Sequence, residues 1–289
     1  MTLYLERLAS RSEAVGTVLC LGLDPDPAVL PGGFAPDVHG IESFATLVLE
    51  ACLPYVAAVK PNLAFYEAFG SRGLAALERI RARVPADVPV ILDAKRADIG
   101  STSARLAVAL FDTLGADAVT LNPYLGRDAI APLLGVEARY AYLLCRTSNP
   151  GADELQALEV TAGGDPSIPP EPLAYRVART VAGWPEAATG EVGLVVGATA
   201  PAELRAIRAL VPGVGFLVPG LGAQGGDLAA VLAAGPASLP PTGGRAGGGL
   251  VVNVGRAILG AASDAPGGDA GRAVALAAER WARNLPVLA

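Results

Sequence analysis

Asp93, Lys95 and Asp98 follow directly on the apolar run Val88-Pro89-Val90-Ile91-Leu92. The run reads as a buried strand. Side chains two apart on a strand share a face, so Asp93 and Lys95 point the same way if the strand persists. Asp98 lies just past it, where the chain turns, and Ser101-Thr102-Ser103 supplies candidate N-caps for the next helix. Two carboxylates and an ammonium thus gather where a strand hands over to a helix. Buried charge is penalised unless it is paired. At ~4 Å and an effective dielectric of ~20, an opposite pair gains roughly 4 kcal/mol before desolvation, and a like pair loses as much. The plain alternative is a structural ion pair at a strand end. The chemical reading is a cationic amine held between acids. Opposite charges favour its charged form, which suits Lys95 to proton donation rather than Schiff-base formation. A carboxylate beside a bound anion repels it and favours a step that discharges it. Loss of CO₂ followed by protonation of the carbanion is such a step.

The elements that must position these groups alternate along the chain. Thr17 to Leu23 is an apolar strand closed by Asp24-Pro25-Asp26-Pro27. Ile41, Phe44, Ala45, Val48, Leu49 and Cys52 form one face of an amphipathic helix. Tyr55 to Val59 is a strand ending on Lys60-Pro61-Asn62, and Leu74, Leu77 and Val84 mark a helix. After the strand that ends at Asp93 to Lys95, a helix from about Ser103 to Leu114 leads to a strand, Ala116 to Leu121, ending on Asn122. A helix near Arg127 to Val136 precedes the strand Ala141 to Arg146, closed by Thr147-Ser148-Asn149-Pro150-Gly151. Ala152 to Pro172 is rich in Gly, Pro and acid and reads as a loop. Leu173 to Val181 is helical, Val192 to Val196 a strand, and Pro201 opens a helix with Leu204, Ile207 and Val211 on one face. Val214 to Val218 is a strand followed by Pro219-Gly220-Leu221-Gly222-Ala223-Gln224-Gly225-Gly226. A short helix, Leu228 to Ala234, precedes the Pro/Gly-rich stretch Gly235 to Gly249. Leu250 to Val254 is the last strand, ending on Gly255-Arg256, and Val274, Ala278, Trp281 and Leu285 stripe the final helix.

This is strand then helix, about eight times over. The strands are short, apolar throughout and β-branched, as burial on both faces requires. The expected fold is α/β, a single-domain (β/α)₈ TIM barrel over residues 1–289, with a surface helix at about residues 2–14. An open doubly wound sheet is the alternative, but no G-x-G-x-x-G follows the first strand. In a barrel every strand's C-terminal end lies on one face. That face collects Asp24, Lys60, Asp93, Lys95, Asn122, Ser148, Gln224 and Arg256. The glycine-dense loop from Pro219 lets backbone N–H groups approach a ligand. With Gly255-Arg256 it occupies the barrel's usual phosphate position, after strands seven and eight, where Arg256 offers a fork of donors. The alternative there is a tight turn and a solvated arginine.

Composition narrows the classes. The chain of 289 residues is 52% hydrophobic, so it can bury a sizeable core. No apolar run is long enough to span a bilayer. The net charge is −6 with no basic run, which argues against a nucleic-acid partner. Cys20, Cys52 and Cys145 are scattered, read as buried small apolar residues, and form neither a disulfide framework nor a metal knuckle. A reducing, cytoplasmic compartment is expected. The single histidine, His39, sits in a Gly/Pro-flanked stretch and reads as a solvated loop residue, so His-dependent triads and His-rich metal sites fall away.

Asp93-x-Lys95-x-x-Asp98-Ile99-x-x-Thr102 resembles the signature of the orotidine 5′-phosphate decarboxylase family. Leu21-Gly22-Leu23-Asp24, Val59-Lys60, Ser148-Asn149-Pro150-Gly151, Pro219-Gly220-x-Gly222-Ala223-Gln224-Gly225-Gly226 and Gly255-Arg256 agree with it in order, over nearly the whole chain. The wording Lys-Arg-Ala-Asp-Ile-Gly-Ser-Thr and the longer segment after strand five resemble the bacterial branch with the larger chain. The resemblance implies a cytoplasmic, cofactor-independent and metal-free enzyme of the last step of de novo UMP synthesis. Lys95 would protonate C6 of the pyrimidine, and Asp93 would sit against the departing carboxylate. Lys60 and Asp98 would complete an alternating charge network. Asp98 and Thr102 would come from the second subunit of a homodimer. Asp24 and Lys60 would contact ribose hydroxyls and Ser148 the pyrimidine amide edge. Gln224 and Arg256, with Pro219 and Gly255 in the same loops, would hold the phosphate, and Pro219 to Gln224 would close over it. Two features depart from the pattern. Leu221 separates the loop glycines, and Gly235 to Gly249 has no counterpart. That stretch precedes a strand, so it is expected on the face away from the site, as a solvated connection.

Two alternatives stay open on the sequence. A sister enzyme of the same suprafamily would keep the barrel and the motif and use Mg²⁺ to stabilise an enediolate, although the strand ends offer no glutamate. A non-catalytic sensor of phosphate ligands would have no use for a lysine between two acids.

Overall fold

Each apolar run identified above that is bounded by turn residues forms a strand, and all eight lie parallel in one sheet. They are β1 Leu19–Gly22, β2 Ala58–Lys60, β3 Ile91–Arg96, β4 Ala118–Leu121, β5 Tyr140–Arg146, β6 Val192–Val196, β7 Gly215–Val218 and β8 Leu250–Val254. The computed structural model describes residues 4–134, 139–161, 169–265 and 269–288. The sheet runs in the order β2-β1-β8-β7-β6-β5-β4-β3. Its two ends meet where Val59 pairs with Val90 and Asn62 with Asp93, which closes the barrel. Helices α1 Tyr4–Val15, α2 Val38–Cys52, α3 Gly70–Arg81, α4 Gly100–Ala107, α5 Arg127–Leu134, α6 Leu173–Ala182, α7 Pro201–Leu210, α8 Leu228–Ala234 and α9 Ala270–Asn284 surround it. No described helix is long and apolar enough to cross a membrane.

The strand period of two sorts the side chains into two cores. Cys20, Ala58, Ile91, Ala118, Tyr142, Leu217 and Val251 point into the barrel. Leu19, Leu21, Leu92, Val119, Leu143 and Val252 point outward and meet the apolar stripes of the helices. Helix α1 covers the N-terminal end of the barrel with Tyr4, Leu5 and Leu8, each buried and each contributing roughly 1.5–3 kcal/mol. The Tyr4 ring lies 4.6 Å from that of Tyr140, and its hydroxyl is 3.1 Å from the Tyr142 hydroxyl. With that end filled, the C-terminal mouth is left as the place for a ligand.

Several expectations need correction. The helix after β3 starts at Gly100 with no side-chain cap, so Ser101, Thr102 and Ser103 lie inside it. Ser103 instead ties α4 to its neighbours, its hydroxyl lying 2.7 Å from the carbonyl oxygens of both Asp98 and Ala129 and sharing its one proton between them. His39 is the second residue of α2, exposed, because Asp37 caps that helix by accepting from the His39 and Gly40 amides. Leu53–Tyr55 is a 3₁₀ turn rather than the start of β2, as Pro54 cannot donate within a ladder. Ala152 to Pro172 is not a plain loop. It holds the short helix Asp153–Gln156 and a two-stranded ladder, Glu159–Val160 with Glu171–Pro172, while residues 162–168 lie outside the described residues. The end of the expected helix near Val136 also lies outside them. Gly235 to Gly249 is not solvated throughout: Thr242, Gly247, Gly248 and Gly249 are buried, and the turn Ala246–Gly249 packs against α1. A Cβ on Gly249 would fall 2.0 Å from Thr242 Cγ2, so that approach requires glycine. Cys20, Cys52 and Cys145 are free and buried in β1, α2 and β5.

Candidate active site

The mouth opens into a cavity of about 510 Å³ whose wall carries the last residues of the strands and the loops that follow them. Asp24, Lys60, Asp93, Lys95, Ser148, Pro219, Gln224, Gly255 and Arg256 all line it. These come from strand ends β1, β2, β3, β5, β7 and β8, so the barrel brings together groups spread over most of the chain.

Asp93 is the hub. The Lys60 Nζ donates to its Oδ2 at 2.5 Å, and the Lys95 Nζ donates to its Oδ1 at 2.5 Å. Thr120 Oγ1 donates to the same Oδ1 at 2.8 Å and accepts from the Lys95 amide at 3.0 Å. Strand alternation alone does not set Asp93 beside Lys95, because the register of β3 on β4 shifts between Leu92 and Arg96. Lys95 takes φ 50°, the only residue other than glycine with positive φ among those described. That conformation costs roughly 1–2 kcal/mol for an L side chain. Strain of this kind persists where the surroundings over-determine it, and here the Thr120 hydroxyl and the Asp93 carboxylate fix both ends of Lys95.

The charges are set by one another. Burial works against the Lys60 ammonium, but Asp93 and then Asp24 outweigh it and hold it above the ordinary lysine range. Burial also works against an ionised Asp93, yet Lys60 and Lys95 together outweigh it and hold the carboxyl well below the usual carboxylate range. Asp24 moves the other way. Burial raises it, Lys60 offsets part of that, Asp93 adds to it, and one oxygen accepts from the Asn62 amide at 3.0 Å. Cys20, deeper in the barrel, has its thiol pushed up to about 12 by burial, so it stays a protonated, unreactive group. A fixed cation–anion–cation array at a half-open mouth can hold an anion next to a proton donor without reorganising.

At the opposite wall the loop after β7 folds back on β6. Ala198 donates to the Pro219 carbonyl at 2.8 Å, and Gly226 to the Gly220 carbonyl at 3.0 Å. Gly220 and Gly222 have φ 101° and 79°, which only glycine takes without strain. Leu221, between them, is buried against the core and forms part of the cavity wall. Among the described residues Arg256 has no ion-pair partner, so its guanidinium stands ready for an anion at this wall.

Residues 17–273 match the model of the orotidine 5′-phosphate decarboxylase / HUMPS family. The chain belongs to this family. A curated relative named orotidine 5′-phosphate decarboxylase from Herpetosiphon aurantiacus is 42% identical over 276 residues, covering 95% of this chain and 96% of the relative. Another of that name from Roseiflexus castenholzii is 46% identical over 268 residues, covering 92% and 90%. Among solved structures, the OMP decarboxylase of Leishmania donovani superposes with a TM-score of 0.76 at 35% identity, covering 96% of this chain and 99% of that one. The UMP synthase of the same organism superposes with a TM-score of 0.79 at 37% identity, and there the chain spans 57% of the longer protein.

In this member of the orotidine 5′-phosphate decarboxylase / HUMPS family, Asn122, expected at the mouth, does not line the cavity, and neither do Asp98 and Thr102, which were expected to serve the neighbouring subunit's site. Asn122 turns away, its Oδ1 accepting from Tyr124 to cap a 3₁₀ turn. Asp98 accepts from the Ile99 amide at 2.7 Å, and Thr102 is exposed on α4. Several lining residues escaped the sequence reading, among them the polar Asn62, Thr120, Thr147, Gln156 and Asn253. Thr120 could have been suspected, since it is the polar residue at an inward position of an otherwise apolar strand. Asn253 stands in the same relation on β8, next to the glycine wall. Its carboxamide packs against Gly22, where a Cβ would come 3.1 Å from Asn253 Oδ1 and 2.9 Å from the Gly255 Cα. Backbone cannot yield cheaply there, so Gly22→Ala is expected to lower stability by about 1–3 kcal/mol. Chemical denaturation measures this, and an unchanged midpoint would refute the close approach of β1 and β8.

Proposed function

We propose that this chain converts orotidine 5′-phosphate to uridine 5′-phosphate and CO₂, the last step of de novo UMP synthesis, as a cytoplasmic enzyme. The observation that carries the reading is the pair of lysines on the two oxygens of Asp93 at the cavity mouth. The phosphate is held by Arg256, Gln224 and the backbone at Pro219 and Gly255, the ribose by Asp24 and Lys60, and the pyrimidine edge by Ser148. This places the substrate carboxylate against Asp93, whose charge the two lysines maintain. The C6–carboxylate bond breaks, its electron pair stays on C6, and CO₂ leaves. The Lys95 Nζ then gives a proton to C6 and regains one from water. Binding energy from the phosphate, remote from the bond that breaks, supports the close approach of the two anions. Orotidylate absorbance should therefore fall when the protein is added in excess EDTA. Turnover that requires a divalent ion and a sugar phosphate would instead favour the sister reading.

The same reading includes a homodimer in which Asp98 and Thr102 complete the neighbouring site. Its support is the character of the surface around them. Ile99 is 66% exposed and Tyr124 86%, with Leu125 and Val108 also exposed, on elements joined through the packing of α4 on α5. Mixing inactive Lys95→Ala with inactive Asp98→Ala protein should restore activity, because one of the two sites in a mixed dimer is then intact. No recovery on mixing would place Asp98 in its own chain's site.

A further inference from the structure

Beyond the Thr147–Asn149 turn that follows β5, the chain returns to the mouth through Gln156. Between Asp153 and Glu159 every residue is exposed except Gln156, which is half-buried and lines the cavity. Its carboxamide grips Thr147 twice. Oε1 accepts from the Thr147 amide at 2.9 Å, and Nε2 donates to Thr147 Oγ1 at 2.8 Å. The Thr147 hydroxyl passes its own proton on to Asn149 Oδ1 at 2.6 Å. Both chain neighbours of Ser148 are therefore tied into one network that ends on Gln156. Ser148 itself is wedged between two glycines. A Cβ on Gly197 would come within 3.0 Å of Ser148 Cβ, and one on Gly220 within 3.1 Å. Its hydroxyl reaches Gln224 Oε1 at 3.3 Å, a long bond that a better partner displaces readily.

We infer that Gln156 is a positioning residue for base recognition, holding the Thr147–Asn149 turn so that Ser148 meets the amide edge of the pyrimidine. The inference rests on the assignment of Ser148 to that edge. The residues flanking Gln156 do not hold the turn by apolar burial, since Leu155 and Leu158 are 62% and 51% exposed. Two hydrogen bonds from one planar carboxamide fix both position and rotation of Thr147, which a packing contact would not. Orientation errors of this kind fall on groups that read the base and leave the phosphate end untouched.

The test compares two probes: uridine 5′-phosphate, which carries the base, and ribose 5-phosphate, which lacks it. Gln156→Ala is expected to weaken uridine 5′-phosphate about tenfold and leave ribose 5-phosphate within twofold. The KM for orotidylate should rise by a similar factor, with a smaller change in kcat. Gln156→Glu keeps the acceptor for the Thr147 amide and should recover part of the loss. Ser148→Ala should show the same selectivity, and the double variant should be no weaker than Ser148→Ala alone. If Ser148→Ala leaves uridine 5′-phosphate unaffected, the assignment of Ser148 fails. If Ser148→Ala is selective but Gln156→Ala changes nothing, or weakens both probes alike, the role of Gln156 is overturned.

Discussion

Lys95→Ala is expected to abolish turnover of orotidylate, by at least about 10³-fold in kcat, while leaving uridine 5′-phosphate binding measurable. Among the described residues, the Lys95 ammonium is the only proton donor in contact with Asp93 that is also half-exposed; Lys60 is buried. Removing it leaves the phosphate and base walls intact, so product affinity reports a folded site. Turnover within tenfold of the wild type would reject Lys95 as the acid. A second comparison separates strain from chemistry. Alanine keeps a Cβ at φ 50°, whereas glycine does not object to that conformation. Lys95→Gly should therefore be more stable than Lys95→Ala by about 1 kcal/mol in denaturant unfolding, with both equally inactive.

Asp93→Asn is expected to lose activity to a similar extent and to cost about 3–5 kcal/mol of stability near neutral pH, because it leaves the Lys60 charge buried without its main partner. The pH dependence identifies the cause. In the intact protein Asp93 lies below its unfolded value, so its contribution is present above about pH 4 and is lost as the pH falls through the folded value. Lys60 lies above its unfolded value, so its contribution is present below about pH 10 and is lost as the pH rises through the folded value. Without Asp93, burial, already the largest influence on Lys60, is opposed chiefly by the weaker pull of Asp24, and the folded value is expected to fall below the unfolded one. The folded variant then binds fewer protons than its unfolded chain, and its stability rises with pH. Unfolding measured at pH 6 and pH 9 should show the gap to wild type narrowing at the higher pH. A constant or widening gap would mean that Asp93 does not hold the Lys60 charge.

The barrel was legible because strands buried on both faces cannot hide a polar residue. Asp24, Lys60 and Asp93 each end an apolar run, and one closed parallel sheet puts all such ends at one mouth. The same logic located Ser148, Gln224 and Arg256. It failed where a residue type has a second, ordinary explanation. Thr120 is β-branched and reads as a strand former, and Gln156 sits in a segment whose composition reads as loop. Asn122 failed in the opposite direction: it stands at a strand end, yet a local turn takes its side chain.

Residue order alone determined that the amines of Lys60 and Lys95 and the carboxylates of Asp24 and Asp93 would gather where strands give way to helices, because alternation and burial are local rules repeated along the chain. Which of them touch was decided only by tertiary structure. Asp93 reaches Lys60 through closure of β2 on β3, and Lys95 through a register shift that Thr120 of β4 holds in place. Asp98 stays outside the cavity of its own chain. Such contacts depend on the stagger of neighbouring strands and on the backbone angle of a single residue. Neither has a period that a sequence can display.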